Sequence, residues 1–405
     1  MDPTQVFCPN EACPARGQVG KGNITVHSRK EARYRCTVCE KTFSARRGTM
    51  FYWKKTPVDS IVLVVTLLAH GCPVRALVAA FGVTAETVRT WAAEAGVHGA
   101  QVHRHLVLGA CWSLRHGHAD EMRVRMQQGM VWMAMALMVR TRLWVGGVVS
   151  AHQDTGLIRQ RADRVRACAR SGALRVAMDG LAADVHAFRC AVRSTAPRKG
   201  PRRPHLARWE QVVIGQVVKQ DERGRMVGGV RRLVQGAEAA LDALLAASGG
   251  GQTVHSASIE RRHATFRSRL ARLVQGAEAA RDALLAASGG GQTVNTASIG
   301  RLHATFRSRL ASLVRRTRDG ARRQRMVTLG MDLVGTVDNV CTPHDTLTNA
   351  QGHRCTPAMA ADLTHHVWTV AELLHVHVPP PRWQPPKQRG RRSKELQTLI
   401  EQWAS

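Results

Sequence analysis

Four cysteines near the start of the chain constrain its fold more than any other feature. Cys8 and Cys13 form one close pair and Cys36 and Cys39 form a second, across a polar segment rich in Gly, Lys and Arg. Each pair can supply one turn of backbone, and together they can close a tetrahedral set of four thiolates around a zinc ion. Two disulfide bonds in a secreted domain are the alternative interpretation. We predict a zinc ribbon over residues 1–48, with Zn²⁺ as a structural ion.

The charge of the chain is strongly one-sided. Lys and Arg total 59 against 29 Asp and Glu, which gives a formal net charge of +30 over 405 residues. This excess favours nucleic-acid phosphates as the partner, although a ribosomal or membrane-surface protein would show the same imbalance. The longest apolar run, 61–69, is far shorter than the roughly 20 residues that span a bilayer. We expect no membrane span and a cytoplasmic, nucleoid-associated protein.

Residues 56–96 have the pattern of three short helices. Thr84 can cap the third helix, on which Val88, Trp91 and Ala95 fall on one apolar face. The short link FGVT before it is typical of a helix-turn-helix, whose last helix enters the major groove of DNA. A plain three-helix bundle is the alternative. We predict a helix-turn-helix over 52–98, with Arg75, Glu86, Arg89 and Thr90 as its DNA-binding residues.

After about residue 120 the hydrophobic period changes from that of helices to that of strands. Three apolar segments up to residue 150 predict three consecutive strands. A helix, a buried strand at 174–178, a second helix, and strands at 211–219 and 226–234 follow. This order indicates an α/β domain with a mixed sheet. We predict a multidomain α+β fold, with this domain over 118–345 and a basic Pro/Arg-rich region over 346–405.

A 40-residue segment occurs twice in tandem, at 232–271 and 272–311. So close a match indicates a duplication of sequence rather than a solenoid, which needs about three or more repeats. Each copy contains a helix pattern that runs through HATFRSRL. The copies differ at Leu241/Arg281, His255/Asn295, Ser256/Thr296, Glu260/Gly300 and Arg262/Leu302.

Three acidic residues occur where carboxylates of a mixed sheet can meet. Asp120 opens the first predicted strand, Asp179 ends the central strand, and Glu260 lies on the helix of the first copy. Acids from adjacent strands and from a helix beside them can hold paired Mg²⁺ ions, which activate a water or hydroxyl in phosphodiester attack. Taken singly, each acid has the simpler interpretation of a cap or a solvated edge residue. His118, two residues before Asp120, is expected at the surface.

Several segments of the chain share features with one protein family. They are CPNEACPARG at the N-terminus, ADE at 119–121, VAMDGL, GQVVKQ, ASIERRHATFR and PPRWQPPKQRGRRSKE. Together they resemble bacterial insertion-sequence transposases that join a zinc ribbon and a helix-turn-helix to a DDE catalytic domain of ribonuclease-H-like fold. The resemblance covers nearly the whole chain.

The resemblance implies a DNA transposase that cleaves and joins strands at the terminal repeats of a mobile element. It implies catalysis with two Mg²⁺ ions, or with Mn²⁺, by a homo-oligomer in a synaptic complex. The family's metal-binding acids match Asp120, Asp179 and Glu260, whereas Glu121 is expected on the opposite face of its strand. Arg267, on the same helix as Glu260, is a further candidate DNA contact.

The duplication departs from that family, in which one such helix is expected. The first copy keeps the acid but places Arg262 on the apolar stripe, whereas the second has a clean apolar face and Gly300 in place of the acid. We predict that the first copy packs on the sheet, because it directly follows the upstream strands, and that the second forms an appended helical hairpin. Packing favours the opposite, since a buried Arg without a partner is strongly destabilising. The alternative function is a catalytically impaired relative that acts only as a sequence-specific DNA-binding protein or repressor.

Overall fold

The computed structural model describes residues 2–108, 117–169, 173–179, 182–196, 205–209, 211–222, 225–236, 297–310, 321–348, 352–386, 390 and 392–403. Over these residues the fold belongs to the mixed α+β class that the sequence predicts. The helices are α1 Val58–Ala69, α2 Val74–Phe81, α3 Ala85–His103, α4 Thr155–Cys168, α5 Ala182–Ala191, α6 Ala297–Arg309, α7 Gln324–Cys341, α8 Pro357–Ala360, α9 Val370–His375 and α10 Lys394–Trp403. The strands are β1 Ile24–Ser28, β2 Arg33–Cys36, β3 Thr42–Ser44, β4 Gly117–Arg125, β5 Met130–Met138, β6 Trp144–Ser150, β7 Ala173–Asp179, β8 Arg193–Ala196, β9 His205–Arg208, β10 Gln211–Glu222, β11 Arg225–Gln235, β12 His344–Thr348 and β13 Arg354–Cys355.

The N-terminal part is a small antiparallel sheet of order β1-β2-β3 that carries the four cysteines. Its core contains those thiols together with Ile24 and Tyr34, and Trp403 of the C-terminal helix α10 closes it. Gln18 Nε2 also donates a hydrogen bond to the carbonyl oxygen of Trp403 at 2.6 Å. A core of this size is too small to be stable by hydrophobic burial alone, so a metal ion and the C-terminal helix are expected to contribute.

Helices α1 to α3 occupy the three predicted helical segments, but α3 continues to His103, seven residues past the predicted end at 96. Trp91 is buried, as predicted. Beyond Gly96 the helix packs closely on α7, where a Cβ at position 96 would lie 2.4 Å from the carbonyl oxygen of Leu329. The predicted boundary at 98 therefore lies within a continuous helix, and one apolar core joins these helices to the sheet that follows.

The central sheet has six strands in the order β11-β10-β7-β4-β5-β6. Strands β4, β5 and β6 are consecutive and antiparallel, as are β10 and β11. The strand β7 lies parallel to both β4 and β10. The predicted strands and helices between residues 120 and 235 are present in the predicted order. The structure adds a short hairpin of β8 and β9, which the sequence did not predict, between α5 and β10.

Helices cover both faces of this sheet and one of its edges. On one face α4 packs on β5 and β6, and the core cluster of Val165, Phe188 and Met178 extends this layer to α5 and β7. On the other face α6 packs on β4 and α7 on β6, through residues such as Phe306 and Trp144. At the β6 edge, Asn339 of α7 accepts from the backbone N–H of Trp144 and donates to its carbonyl oxygen, both at 2.8 Å. This side chain satisfies edge groups that would otherwise pair with another strand.

Among the described residues, no helix has both the length and the apolar character that a membrane crossing requires.

Candidate functional site

The four predicted zinc ligands come together in one cluster. The Sγ atoms of Cys8, Cys13, Cys36 and Cys39 all lie within 4.8 Å of one another. The Cys8–Cys39 and Cys13–Cys36 pairs have Sγ–Sγ distances of 3.6 and 3.9 Å. A tetrahedral zinc ion with Zn–S bonds of about 2.3 Å requires sulfur atoms about 3.8 Å apart. The cluster therefore fits a zinc ion, and these separations are too long for the alternative of disulfide bonds.

Local turns set the position of each cysteine in this cluster. Cys36 ends β2, and its backbone N–H donates to the Lys41 carbonyl at 3.0 Å, so that the chain folds back and carries Cys39 beneath it. In the first pair, the N–H of Cys13 donates to the carbonyl of Asn10 at 3.1 Å. Each pair thus forms its turn from backbone hydrogen bonds within a few residues, which explains why spacing alone was sufficient to predict the ligands.

The thiols differ in acidity because their surroundings differ. Burial raises the pKa of Cys8, and it raises the pKa of Cys13 to about 12. At Cys39 burial acts in the same direction, but hydrogen bonds with Asn10, the Lys41 backbone and the neighbouring thiols outweigh it and lower the pKa to about 7. Zinc binds thiolates, so binding releases protons from this cluster and is favoured as the pH rises.

The second candidate site lies on the central strands β4 and β7. Their parallel register pairs Ala119 with Met178, so Asp120 and Asp179 are each the next residue along neighbouring strands. Asp120 Oδ1 accepts a hydrogen bond of 2.8 Å from the backbone N–H of Glu121. Its other oxygen, Oδ2, lies 3.6 Å from Nδ1 of His303 on α6. The two predicted aspartates are therefore neighbours along the sheet, as their positions in the sequence indicated.

Glu121, next to Asp120 in the chain, lies on the opposite face, as predicted. It forms an ion pair with Arg161 of α4, and the two side chains are 7% and 1% exposed. The guanidinium of Arg161 also lies 5.9 Å from the ring centroid of Phe188. A carboxylate so deeply buried and paired has a structural role, so only Asp120 of this dipeptide faces the candidate site.

His118 is buried, which corrects the expectation that it lies at the surface. The strand begins before Asp120, at Gly117, and His118 pairs with Leu137 of β5 on one side and Ala177 of β7 on the other. It is therefore a residue of the sheet interior. The basic environment of the sequence around it gave no signal of this burial.

The helix on the Asp120 face belongs to the second copy of the repeat. In α6, Ile299, Leu302 and Phe306 are buried against β4 and β5, and Leu310 packs beside them. At its C-terminal end, Arg309 Nη1 lies 3.1 Å from both Asp338 Oδ1 and Thr342 Oγ1 of the α7 region. The prediction that the second copy forms an appended hairpin is wrong, because its apolar stripe is complete and packs on the sheet.

The third predicted acid and one predicted DNA contact, Glu260 and Arg267, lie outside the described residues, as does the rest of the chain from 237 to 296. At the position equivalent to Glu260, α6 has Gly300, which is exposed, and a Cβ added there would have nothing within 4 Å. Gly300 precedes His303 by three residues, so the two are neighbours on the helix surface. His303 was missed as a partner of Asp120, although its place on the same helical face as the expected acid was a signal for it.

The remaining predicted DNA-binding residues lie on the surface of the three-helix unit. Arg75 on α2 and Glu86, Arg89 and Thr90 on α3 are all exposed. Thr84 caps α3, its hydroxyl oxygen accepting from the N–H of Thr87 at 3.2 Å. The Arg89 guanidinium lies 3.8 Å from the Glu86 carboxylate, an exposed i,i+3 pair. This surface is accessible to a large polyanion, and such an exposed pair is weak enough to open on binding.

Comparison with known proteins gives no further assignment: no protein-family model and no curated protein matches this chain.

Proposed function

We propose that this chain is a DNA transposase of the insertion-sequence type. In this proposal the cysteine cluster and helices α1 to α3 bind the ends of a mobile element, and the six-stranded sheet is a ribonuclease-H-like unit for strand cleavage and transfer. The observation that carries the proposal is the order β10-β7-β4-β5-β6, in which Asp120 and Asp179 lie on neighbouring parallel strands. Two acids on adjacent central strands are the arrangement that a divalent-metal site for phosphodiester chemistry requires.

Charge and exposure support DNA as the partner. The chain has an excess of 30 positive charges, and the outward residues of α3 are polar and exposed. Phosphate contacts by Lys and Arg would hold the DNA, while the N-terminal part of α3 would meet base edges in the major groove. Assembly as a homo-oligomer on paired element ends, in the cytoplasm with the nucleoid, belongs to the same proposal.

Asp120 and Asp179 are the residues that would hold Mg²⁺, with Glu260 as the expected third acid. The metal, when bound, would activate the attacking hydroxyl and stabilise the leaving oxygen of the scissile phosphate. Asp120 fits this role, since it is half-buried and one of its oxygens is already oriented by the backbone N–H of Glu121. His303 lies beside its other oxygen. The helix α6 on the Asp120 face contains no carboxylate. Of the three expected ligands, the described residues therefore include two, Asp120 and Asp179.

That gap favours a second candidate function, a DNA-binding relative that occupies the same ends without cutting them. The specific observation is that the helix on the Asp120 face has Gly300 where the acid is expected. A site with two carboxylates binds a divalent pair more weakly than one with three, because fewer negative charges offset the ions.

A cleavage and joining assay separates the two functions. Purified protein is incubated with DNA carrying the terminal repeats that flank the coding sequence, with Mg²⁺, Mn²⁺ or EDTA. A transposase gives cut and joined products only with a divalent ion, and Asp120→Asn abolishes them while binding persists. Binding in EDTA with no product on adding Mg²⁺ or Mn²⁺ identifies the non-catalytic relative. Product formation that Asp120→Asn leaves unchanged would refute the assigned site.

A further inference from the structure

A pocket of about 540 Å³ lies between the cysteine-bearing sheet and the start of the helical unit. Its volume falls within the roughly 300–1,000 Å³ of small-ligand sites. Five of its lining residues are cations, and of the described residues that line it none is acidic. The cations are Arg33, Lys41, Arg46, Arg47 and Lys54. The pocket therefore attracts anions. It borders the cysteine cluster, since Cys8 is among its lining residues, and it shares no residue with the Asp120 site.

The rim of this pocket carries an unusually placed tryptophan. Trp53 is 84% exposed, more than any other large apolar side chain in the described part of the chain. Its backbone is in the left-handed region, with φ of 64°, which a bulky residue rarely adopts. Such strain persists only where the surrounding structure imposes it, and it is concentrated at binding sites. Here it turns a large aromatic ring towards solvent.

The neighbouring contacts hold this rim in place. Trp53 lies beside Tyr52, with ring centroids 5.1 Å apart, and the Arg47 guanidinium lies 4.5 Å from the Tyr52 centroid. Lys54 forms an ion pair of 2.5 Å with Glu94 of α3. The aromatic pair is thus fixed relative to the helix whose N-terminal residues are the candidate DNA contacts.

Other cations of the pocket remain accessible to a ligand. Lys41 and Arg46 are exposed, and among the ion pairs of the described residues only that of Lys54 with Glu94 involves a lining cation. An exposed aromatic ring beside several cations is the combination that binds an unpaired nucleotide, since the base stacks and the flanking phosphates are neutralised. A base inside a duplex cannot use such a ring, because both of its faces are already stacked.

We infer that this pocket binds an unpaired nucleotide of a DNA strand, with its base on Trp53 and its phosphates on Lys41 and Arg46. The inference rests on the proposed function for the identity of the polymer as DNA. Its site, however, is distinct from the α3 surface that would read duplex DNA. A strand end or an overhang next to a bound duplex would reach it, because the pocket lies between the two units that we propose to hold the duplex.

The test compares two labelled DNAs by fluorescence anisotropy, a blunt duplex and the same duplex with a three-nucleotide overhang that contains 2-aminopurine. We expect the full-length protein to bind the overhang DNA roughly 10-fold more tightly and to quench the 2-aminopurine, since stacking on an aromatic ring contributes on this scale. Trp53→Ala should lose both the preference and the quenching, while blunt-duplex affinity stays within about twofold. Trp53→Phe should retain part of both effects.

Matched variants keep the test independent of folding. Trp53→Gly removes the ring and also relieves the left-handed backbone, so it should be at least as stable as the native protein and should lose the preference equally. Leu206→Ala, at an exposed apolar residue of β9 and outside the proposed DNA-binding helices, should change neither binding value. Retention of the overhang preference in Trp53→Ala and Trp53→Gly would overturn the inference. Displacement of the overhang by poly-glutamate as readily as by single-stranded DNA would also overturn it, since the pocket would then bind acidic peptide.

The two proposals fail in different ways. If the blunt duplex binds but the overhang adds nothing, the pocket inference is wrong and the proposed DNA-binding function stands. If the duplex does not bind while a single strand binds in a Trp53-dependent manner, the pocket inference stands and the proposed function is wrong.

Discussion

The two faces of the central sheet use neighbouring acids of β4 in different ways. On the α4 face, Glu121 is buried and paired with Arg161, so its charge is neutralised within the protein. On the α6 face, Asp120 keeps 23% of its side chain exposed and lies beside His303, on a neighbouring strand to Asp179. An acid in a strand therefore acquires its role from the helix that covers it. The long side chain of Arg161 neutralises Glu121, whereas α6 has a glycine, Gly300, on the side of Asp120 and so leaves open space there.

The largest loss of stability is expected at Phe306, and it tests which copy of the repeat covers the Asp120 face. Phe306 is fully buried, with its ring centroid 6.0 Å from that of Trp144. Phe306→Ala should lower the free energy of unfolding by about 3–5 kcal/mol, because it leaves a large cavity in the core. The measurement is chemical denaturation followed by circular dichroism.

The repeat provides its own control for this prediction. Phe266→Ala makes the same change in the same local sequence of the first copy, which lies outside the described residues. If only the second copy packs on the sheet, this change should cost less than about 0.5 kcal/mol. A larger loss from Phe266→Ala than from Phe306→Ala would mean that the first copy covers the sheet after all.

A similar loss is expected on the opposite face, where Arg161→Ala leaves Glu121 buried without its counter-ion. The free energy of unfolding should fall by about 3–5 kcal/mol. The double variant Arg161→Met with Glu121→Leu should recover most of it, since apolar residues need no partner. Asp120→Asn should change stability by less than about 1 kcal/mol, because its side chain is partly solvated. Equal losses from Asp120→Asn and Arg161→Ala would contradict the distinction between the faces.

Asp332 of α7 is a buried carboxylate outside both of these sites, and it makes the stability of the protein depend on pH. Burial raises its pKa to about 6 from the ordinary 3.8, although Arg164 and Arg104 oppose this. Between these values the folded state binds more protons than the unfolded state, so this group makes stability fall as the pH rises from about 4 to about 6.

Asp332→Asn removes that contribution. The free energy of unfolding of the variant, minus that of the native protein, should therefore increase between pH 4 and pH 7. The increase should be at most about 3 kcal/mol. Denaturation of both proteins at the two pH values measures this difference. If the two proteins differ in unfolding free energy by the same amount at both pH values, the pKa of Asp332 is the same in the folded and the unfolded chain.

The smallest change in stability is expected at Gly300, where the change in function should be most informative. A side chain there meets open space, so Gly300→Glu should not destabilise the protein and should add up to about 1 kcal/mol of helix propensity. If the proposed function is right, the variant should gain or increase Mg²⁺-dependent cleavage.

Gly300→Gln is the matched control, since it has the same size and helix preference without the charge. Cleavage by Gly300→Glu should also disappear when Asp120→Asn is added. Equal activity of the Glu and Gln variants would show that position 300 does not contribute a metal ligand.

Much of the fold followed from hydrophobic period. The runs that became β4, β5, β6 and β7 alternate or are continuously apolar, and Glu121 was expected opposite Asp120 because successive strand residues alternate between faces. The failures have a common physical origin in contacts between distant segments. His118 is buried by two neighbouring strands, and α3 continues past Gly96 because a glycine there lets α7 approach. The Trp53 pocket was also missed, although the aromatic and basic run YWKK was a signal for it.

The cysteine cluster was predictable from the amino-acid sequence alone, because each pair of ligands forms its own turn and needs few distant contacts. The sequence also predicted that a mixed sheet would place Asp120 and Asp179 on strands of its centre. The identity of the helix that lies over Asp120 became clear only from the packing of the folded chain. The helix seen there is α6 of the second copy, whose Leu302 is buried in the apolar stripe at the position where the sequence of the first copy has Arg262. The cost of desolvating an arginine arises only against the apolar surface of the sheet, and no local pattern in the chain contains that surface.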